Sequence, residues 1–173
     1  MKKMLFTTFA ALLLFSGCGT VQSIIKSSFP YTTNLVIPAS SSPDTTLSVS
    51  STAASFDKTL GNVDGAQYIK DVKIASAKLL ANNPADQSMG MFKTLKIFIS
   101  SGTNEEVMVA SRNDVSEHIG SNLVLDIDNS RLLDKYIQGE NLKIRMEYTL
   151  RASLPADVTV RTSLSFSSSP GQK

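Results

Sequence analysis

The side chains in this sequence that could do chemistry are few, and each group implies a different reaction or ligand. His118 is the only histidine, and it follows Ser116 and Glu117. A hydroxyl, a carboxylate and an imidazole are the ingredients of a hydrolase, but hydrolysis needs nucleophile, base and orienting group to converge, which adjacency does not arrange. No GxSxG turn raises a serine over a sheet. VSEHIGSN therefore reads as an exposed loop ahead of a strand. Asp126, Asp128 and Ser130 have the spacing that opens a calcium loop. Arg131 stands where that loop turns on glycine, however, and Ile137 where it places a bidentate glutamate, so a strand end followed by a helix cap explains DIDNS better. Glu105-Glu106 reads as solvated surface rather than a glycosidase pair. One histidine and one cysteine are a poor set for zinc. Neither metal nor cofactor is expected, and the reading favours a protein that is not an enzyme.

The sharper surface feature is cationic. Leu142, Ile144, Met146, Tyr148 and Leu150 alternate with polar residues, so Lys143, Arg145 and Arg151 share the opposite, solvent side of the strand. Arg161 points the same way on the next strand, read as the hairpin partner of this one. Such a face can hold anionic glycans or lipid headgroups through charge-assisted hydrogen bonds. Glu147 interrupts it, and basic solvent faces also discourage edge pairing. With Arg145 in water, Arg145→Ser is expected to leave stability almost unchanged, unlike Asp at Ile144 or Leu164. Met89, Met91 and Phe92 form an apolar patch around Gly90, read as cover for a core edge in preference to a partner-binding patch.

The remaining reactive group is Cys18, the only thiol. Lys2 and Lys3 precede an apolar run from Met4 to Phe15, then Ser16-Gly17 and the cysteine, which is the charged, apolar, small order of an export signal. The run is well short of the ~20 residues that cross a bilayer as a helix. Phe15-Ser16-Gly17-Cys18 resembles the lipobox of bacterial lipoproteins, with Phe in place of the usual Leu. The resemblance implies that residues 1–17 are removed, that the Cys18 thiol receives a diacylglycerol, and that the new amino group is acylated. Several acyl chains anchor a protein permanently, at ~0.8 kcal/mol per buried methylene. Gly19 in place of Asp implies, by the same resemblance, the outer membrane, on its periplasmic or cell-surface face.

Removing 17 of 173 residues leaves 156, enough for one domain with a sizeable core. Lys2 and Lys3 leave with the signal, so the 17 basic and 15 acidic residues become 15 and 15. Near neutrality argues against a nucleic-acid binder, which needs a marked basic excess, and export argues against it further. With its one cysteine acylated it has no disulfide, so its stability must come from packing.

The elements that position these groups are read as strands. Residues 18–30 are taken as the lipidated cysteine and a tether, with Ile24-Ile25 either resting on the membrane or starting the fold. The domain is taken as 31–169. Tyr31–Ile37 and Thr45–Thr52 flank the turn-forming PASSSPD. Val72 and Ile74 are in phase, Ala77, Leu79 and Ala81 are shifted, and a bulge between them would restore the facing. Leu95–Ile99 and Val107–Val109 read as a hairpin, and Leu123, Leu125 and Ile127 as another alternating run. Val158, Val160, Leu164 and Phe166 alternate across SLPAD from the 142–150 strand, which predicts a second hairpin. One short helix is predicted, capped by Asn129 or Ser130, using Leu132, Leu133, Tyr136 and Ile137, and stopped by Gly139.

Seven or eight short strands and one helix make an all-β antiparallel β-sandwich, with an up-and-down barrel as the alternative. VKIASAKLLANNPADQSMGMFKTLKIFIS, LVLDIDNSRLLDKYI and KIRMEYTLRASLPADVTVRTSLSF resemble uncharacterised small β-sandwich lipoproteins of Bacteroidota envelopes over about residues 56 to 167. That resemblance implies the fold and no activity. The function expected is a membrane-anchored structural or interaction module with an envelope protein or glycan as partner. A carrier for an apolar or anionic ligand is the first alternative, and a hydrolase the second.

Overall fold

The structure, a computed structural model, describes residues 27–54, 69–102, 105–137 and 141–170. Cys18, most of the tether, Asn104 and Gly139 lie outside the described residues. In chain order the elements are β1 (Ser27–Ile37), β2 (Thr46–Ala54), β3 (Ile69–Asn83), a 3-10 turn (Met89–Met91), β4 (Phe92–Ser100) and β5 (Val107–Arg112). They are followed by β6 (Asn122–Val124), β7 (Asp126–Ile127), α1 (Asp134–Ile137), β8 (Asn141–Leu150) and β9 (Val158–Pro170). The strands form two antiparallel sheets, ordered β1-β9-β3-β6 and β2-β8-β4-β5-β7. Among the described residues only β4 and β5 are consecutive strands paired side by side. Apart from the edge strand β7, this interleaving of two four-stranded sheets is that of a jelly roll.

The period-two pattern decides what fills the space between the sheets. Along β8, Leu142, Ile144, Met146, Tyr148 and Leu150 are all buried. Val158, Val160, Leu164 and Phe166 meet them from β9. Phe29, Tyr31 and Phe166 form an aromatic cluster near the start of β1, with centroids 5.5–6.2 Å apart. At the opposite end Phe92 and Tyr148 meet edge to face at 5.7 Å, and the buried Tyr148 hydroxyl is 2.9 Å from that of Ser41. The bulge expected in β3 is present. The register against β9 shifts between Ile74 and Ser76, which brings Ala77, Leu79 and Ala81 back to the side of Val72 and Ile74.

Four expectations change. The run read over Leu123, Leu125 and Ile127 is not one strand: β6 lies at the edge of one sheet and β7 at the edge of the other. β1 starts at Ser27 and puts Phe29 into the core, so the end of the segment taken as a tether is strand. The helix is one turn, not two. Asp128 Oδ1 accepts the Ser130 amide and hydroxyl at 3.1 and 2.5 Å, and the Leu133 amide donates to the Val72 carbonyl at 2.8 Å, holding 128–133 outside the helix. Leu132 is consequently exposed while Leu133 is buried. Most consequentially, β8 and β9 are not a hairpin: β8 lies between β2 and β4, and β9 between β1 and β3. Two strands with one apolar face each can bury it side by side in one sheet or face to face across a core, and the alternation is identical in both. Residues 151–157 span the ~10 Å between sheets without difficulty.

Candidate functional site

The loss of the β8–β9 hairpin takes apart the cationic face that the sequence suggested. Lys143 and Arg145 stand on the outer side of the five-stranded sheet, Arg161 on the outer side of the other, and Arg151 beyond the end of β8. These four residues do not meet as one surface.

Arg145 is held on every side. Its guanidinium lies 4.1 Å from the centroid of the Phe98 ring on β4. Its Nε is 2.9 Å from both Glu106 carboxylate oxygens, Nη2 is 2.7 Å from Oε2, and Nη1 is 3.4 Å from Glu147 Oε2. Lys96 closes the network on Glu147 at 3.1 Å. The hydrogen bond from Arg145 holds the Glu106 carboxyl below its ordinary value, and that from Lys96 does the same for Glu147. The sequence placed Glu106 in a solvated turn, because nothing local shows that an arginine 39 residues away comes to it.

Arg151 is equally committed. Its Nε donates to the Gly90 carbonyl at 3.1 Å and Nη2 to the Val115 carbonyl, while Nη1 is 3.2 Å from Glu117. It ties the 3-10 turn to the loop before β6 at the end of the sandwich. An open cleft of about 380 Å³ lies there, lined in part by Gln87, Gly90, Met91, Glu117, Arg151 and Leu154. Glu117 turns to Arg151 and the Ser116 hydroxyl accepts the His118 amide at 3.4 Å, so the trio diverges rather than forming a relay. Met89 and Phe92 are buried in the core and Met91 packs against it, as cover for a core edge requires. The acidic spacing diverges too: Asp126 faces Arg112 at 3.3 Å while Asp128 takes Ser130 and Arg131. Among the described residues no three His, Cys, Asp or Glu side chains converge on a metal position.

Arg161 belongs to a surface that sequence reasoning missed. On β9, Val160, Thr162, Leu164 and Phe166 point inward, so Arg161, Ser163, Ser165 and Ser167 point outward. The register sets Lys78 beside Ser163 and Lys73 beside Ser167. Lys73, Lys78 and Arg161 therefore share the open face of the four-stranded sheet, and all three are exposed. Thr32 on β1 is on the same face, its hydroxyl 3.4 Å from that of Ser163. The lysines lie 83 to 94 residues from Arg161 and Ser167, and the bulge puts Lys73 and Lys78 out of simple alternation. No local pattern connects them.

No family model matches the chain, and no curated protein is similar to it. Among solved structures, the chain is similar to one of Desmodium yellow mottle tymovirus at 9% identity and a TM-score of 0.26, with 86% of this chain and 90% of that chain covered.

Proposed function

We propose that this protein is a lipid-anchored envelope protein of the outer membrane, held by acyl chains on Cys18, and that its sandwich is a binding or structural module rather than an enzyme or a carrier. The observation that carries the choice of module is the filling of the space between the sheets. Buried side chains from both sheets form one continuous hydrophobic cluster, including Ile144 and Met146 against Leu164 and Phe166. A carrier of an apolar ligand needs that volume for its cargo. The arginines that a catalytic site could use, Arg145 and Arg151, are taken up in holding elements together.

Two measurements test this reading. Cys18→Ala should move the protein from the membrane fraction to the soluble one and remove a diacylglyceryl mass increment from the mature N-terminus. Membrane retention without that increment would refute the anchor. Native mass spectrometry of the protein released in mild detergent should show no internal lipid; a stoichiometric lipid that survives delipidation of the anchor would favour the carrier.

A further inference from the structure

We infer that the outer face of the β1-β9-β3-β6 sheet is the surface that this protein lays against an anionic phospholipid bilayer, so that the domain lies flat on the membrane that anchors it. The inference rests on the lipid-anchor reading and adds an orientation and a class of lipid to it.

Charge is the first argument. These four strands carry Lys70, Lys73, Lys78 and Arg161 and, among the described residues, a single carboxylate, Asp71, at the β3 irregularity between Lys70 and Lys73. None of the four cations forms an ion pair among the described residues. On the other sheet Lys93, Lys96, Arg112 and Arg145 each have one, and Lys143 alone does not among the described residues. Among the described residues, one face thus has most of its cations paired internally, while the other has none paired and directs its field outward, toward an external anion.

The surface between these cations suits phosphate headgroups. Thr32, Ser163 and Ser165 line it with hydroxyls, which donate to phosphate oxygens. Val36 and Val124, 49% and 59% exposed, stand out from the same face on its two edge strands. Apolar side chains flanking cations are the combination that interfacial binding uses.

The anchor is placed to make this contact. Eight residues separate Cys18 from Ser27, where β1 begins, so the span is at most ~30 Å fully extended. Ser27 pairs with Ser168, and Lys73 lies beside the neighbouring Ser167, about 10 Å from β1 across two strand spacings. From Ser167 to Arg161 the cationic stripe then runs ~20 Å up β9. Screening confines its attraction to within ~10 Å, so all of its charges act together only when the face lies parallel to the headgroups.

The test uses the lipidated protein in vesicles of phosphatidylcholine alone, or of equal parts phosphatidylcholine and phosphatidylglycerol. Cys18 is the sole cysteine and its thiol is blocked by lipid. A dye can therefore be placed at Ser165→Cys on the proposed face, or at Ser48→Cys on the outer side of the other sheet. Quenching by neutral acrylamide from the water, and by a headgroup nitroxide lipid from the bilayer, reports which face is down. The expected result is loss of acrylamide quenching and gain of nitroxide quenching at position 165 only, with phosphatidylglycerol only, reversed by high salt or by K73Q/K78Q/R161Q. Equal quenching of the two positions in anionic vesicles would overturn the inference, as would protection that survives the triple substitution or appears in phosphatidylcholine alone. Protection that needs an added anionic polysaccharide would overturn it in favour of a glycan. If mass spectrometry finds Cys18 unmodified, the anchor reading fails and takes this one with it; a lipidated protein with both faces equally exposed fails only here.

Discussion

At the scale of single residues, two of the cations that looked available, Arg145 and Arg151, are ones the fold uses. Arg145 was expected to be a solvent residue with no bearing on stability; the Phe98 ring and two carboxylates against it change that. Arg145→Ser should cost about 1–2 kcal/mol, more than an ordinary surface pair, because it removes a bidentate contact and a stacked cation together and leaves Glu106 and Glu147 facing each other. Urea unfolding at neutral pH checks this. The same network sets a pH dependence. Glu106 and Glu147 ionise more easily folded than unfolded, so their contribution is complete above the ordinary glutamate value and is lost as pH falls through the depressed values. Melting temperatures followed downward from about pH 6 should therefore fall below about pH 4. E106Q/E147Q should start lower and show a shallower acid slope; an unchanged slope would count against the network. Thr162 is the opposite case. It is fully buried on β9 and its hydroxyl has no hydrogen-bond partner among the described residues. Thr162→Val removes a desolvated hydroxyl and keeps the branched shape, so it should raise stability by up to ~1 kcal/mol.

At the scale of elements, the 3-10 turn shows how a loop can be as constrained as a strand. Ser88 caps it by accepting the Gly90 amide at 3.0 Å and donates its own hydroxyl to the Ile119 carbonyl at 2.5 Å. Met89 donates to the Gly120 carbonyl at 2.9 Å. The loop before β6 is thereby drawn so close that a Cβ at Gly90 would collide with the Glu117 backbone carbonyl. Gly90→Ala should accordingly cost a few kcal/mol by displacing that loop, and should also weaken the grip of Arg151 on Gly90 and Val115. Faster hydrogen exchange at Ile119 to Ser121 would report the displacement, and an unperturbed variant would contradict the close approach. The glycine between two methionines was visible in the sequence, but its partner was not. The β3 bulge, by contrast, was legible from the phase change between Ile74 and Ala77, because a strand with one buried face must restore its facing after an extra residue.

At the scale of the whole molecule, the core is shared by two sheets, and that can be tested from either side. Ile144 on β8 and Leu164 on β9 are both fully buried on opposite walls, so Asp at either position should abolish cooperative unfolding. Retention of a sharp transition by either variant would put that wall outside the core. The sequence by itself determined the sandwich, the β4–β5 hairpin, the facing of β3 and the buried positions of β8 and β9, because period two and turn residues are local properties. It equally showed that Cys18 is the only thiol and follows two lysines, an apolar run and two small residues. Only the tertiary structure decided which strands are neighbours. Residues in contact across a sheet are related by register, and an alternating strand carries the same pattern whether its partner lies beside it or across the core. For that reason Arg161 was grouped with Arg145 and Arg151 when it belongs with Lys73 and Lys78, and the cationic face became visible only once β9 was seen to pair with β3.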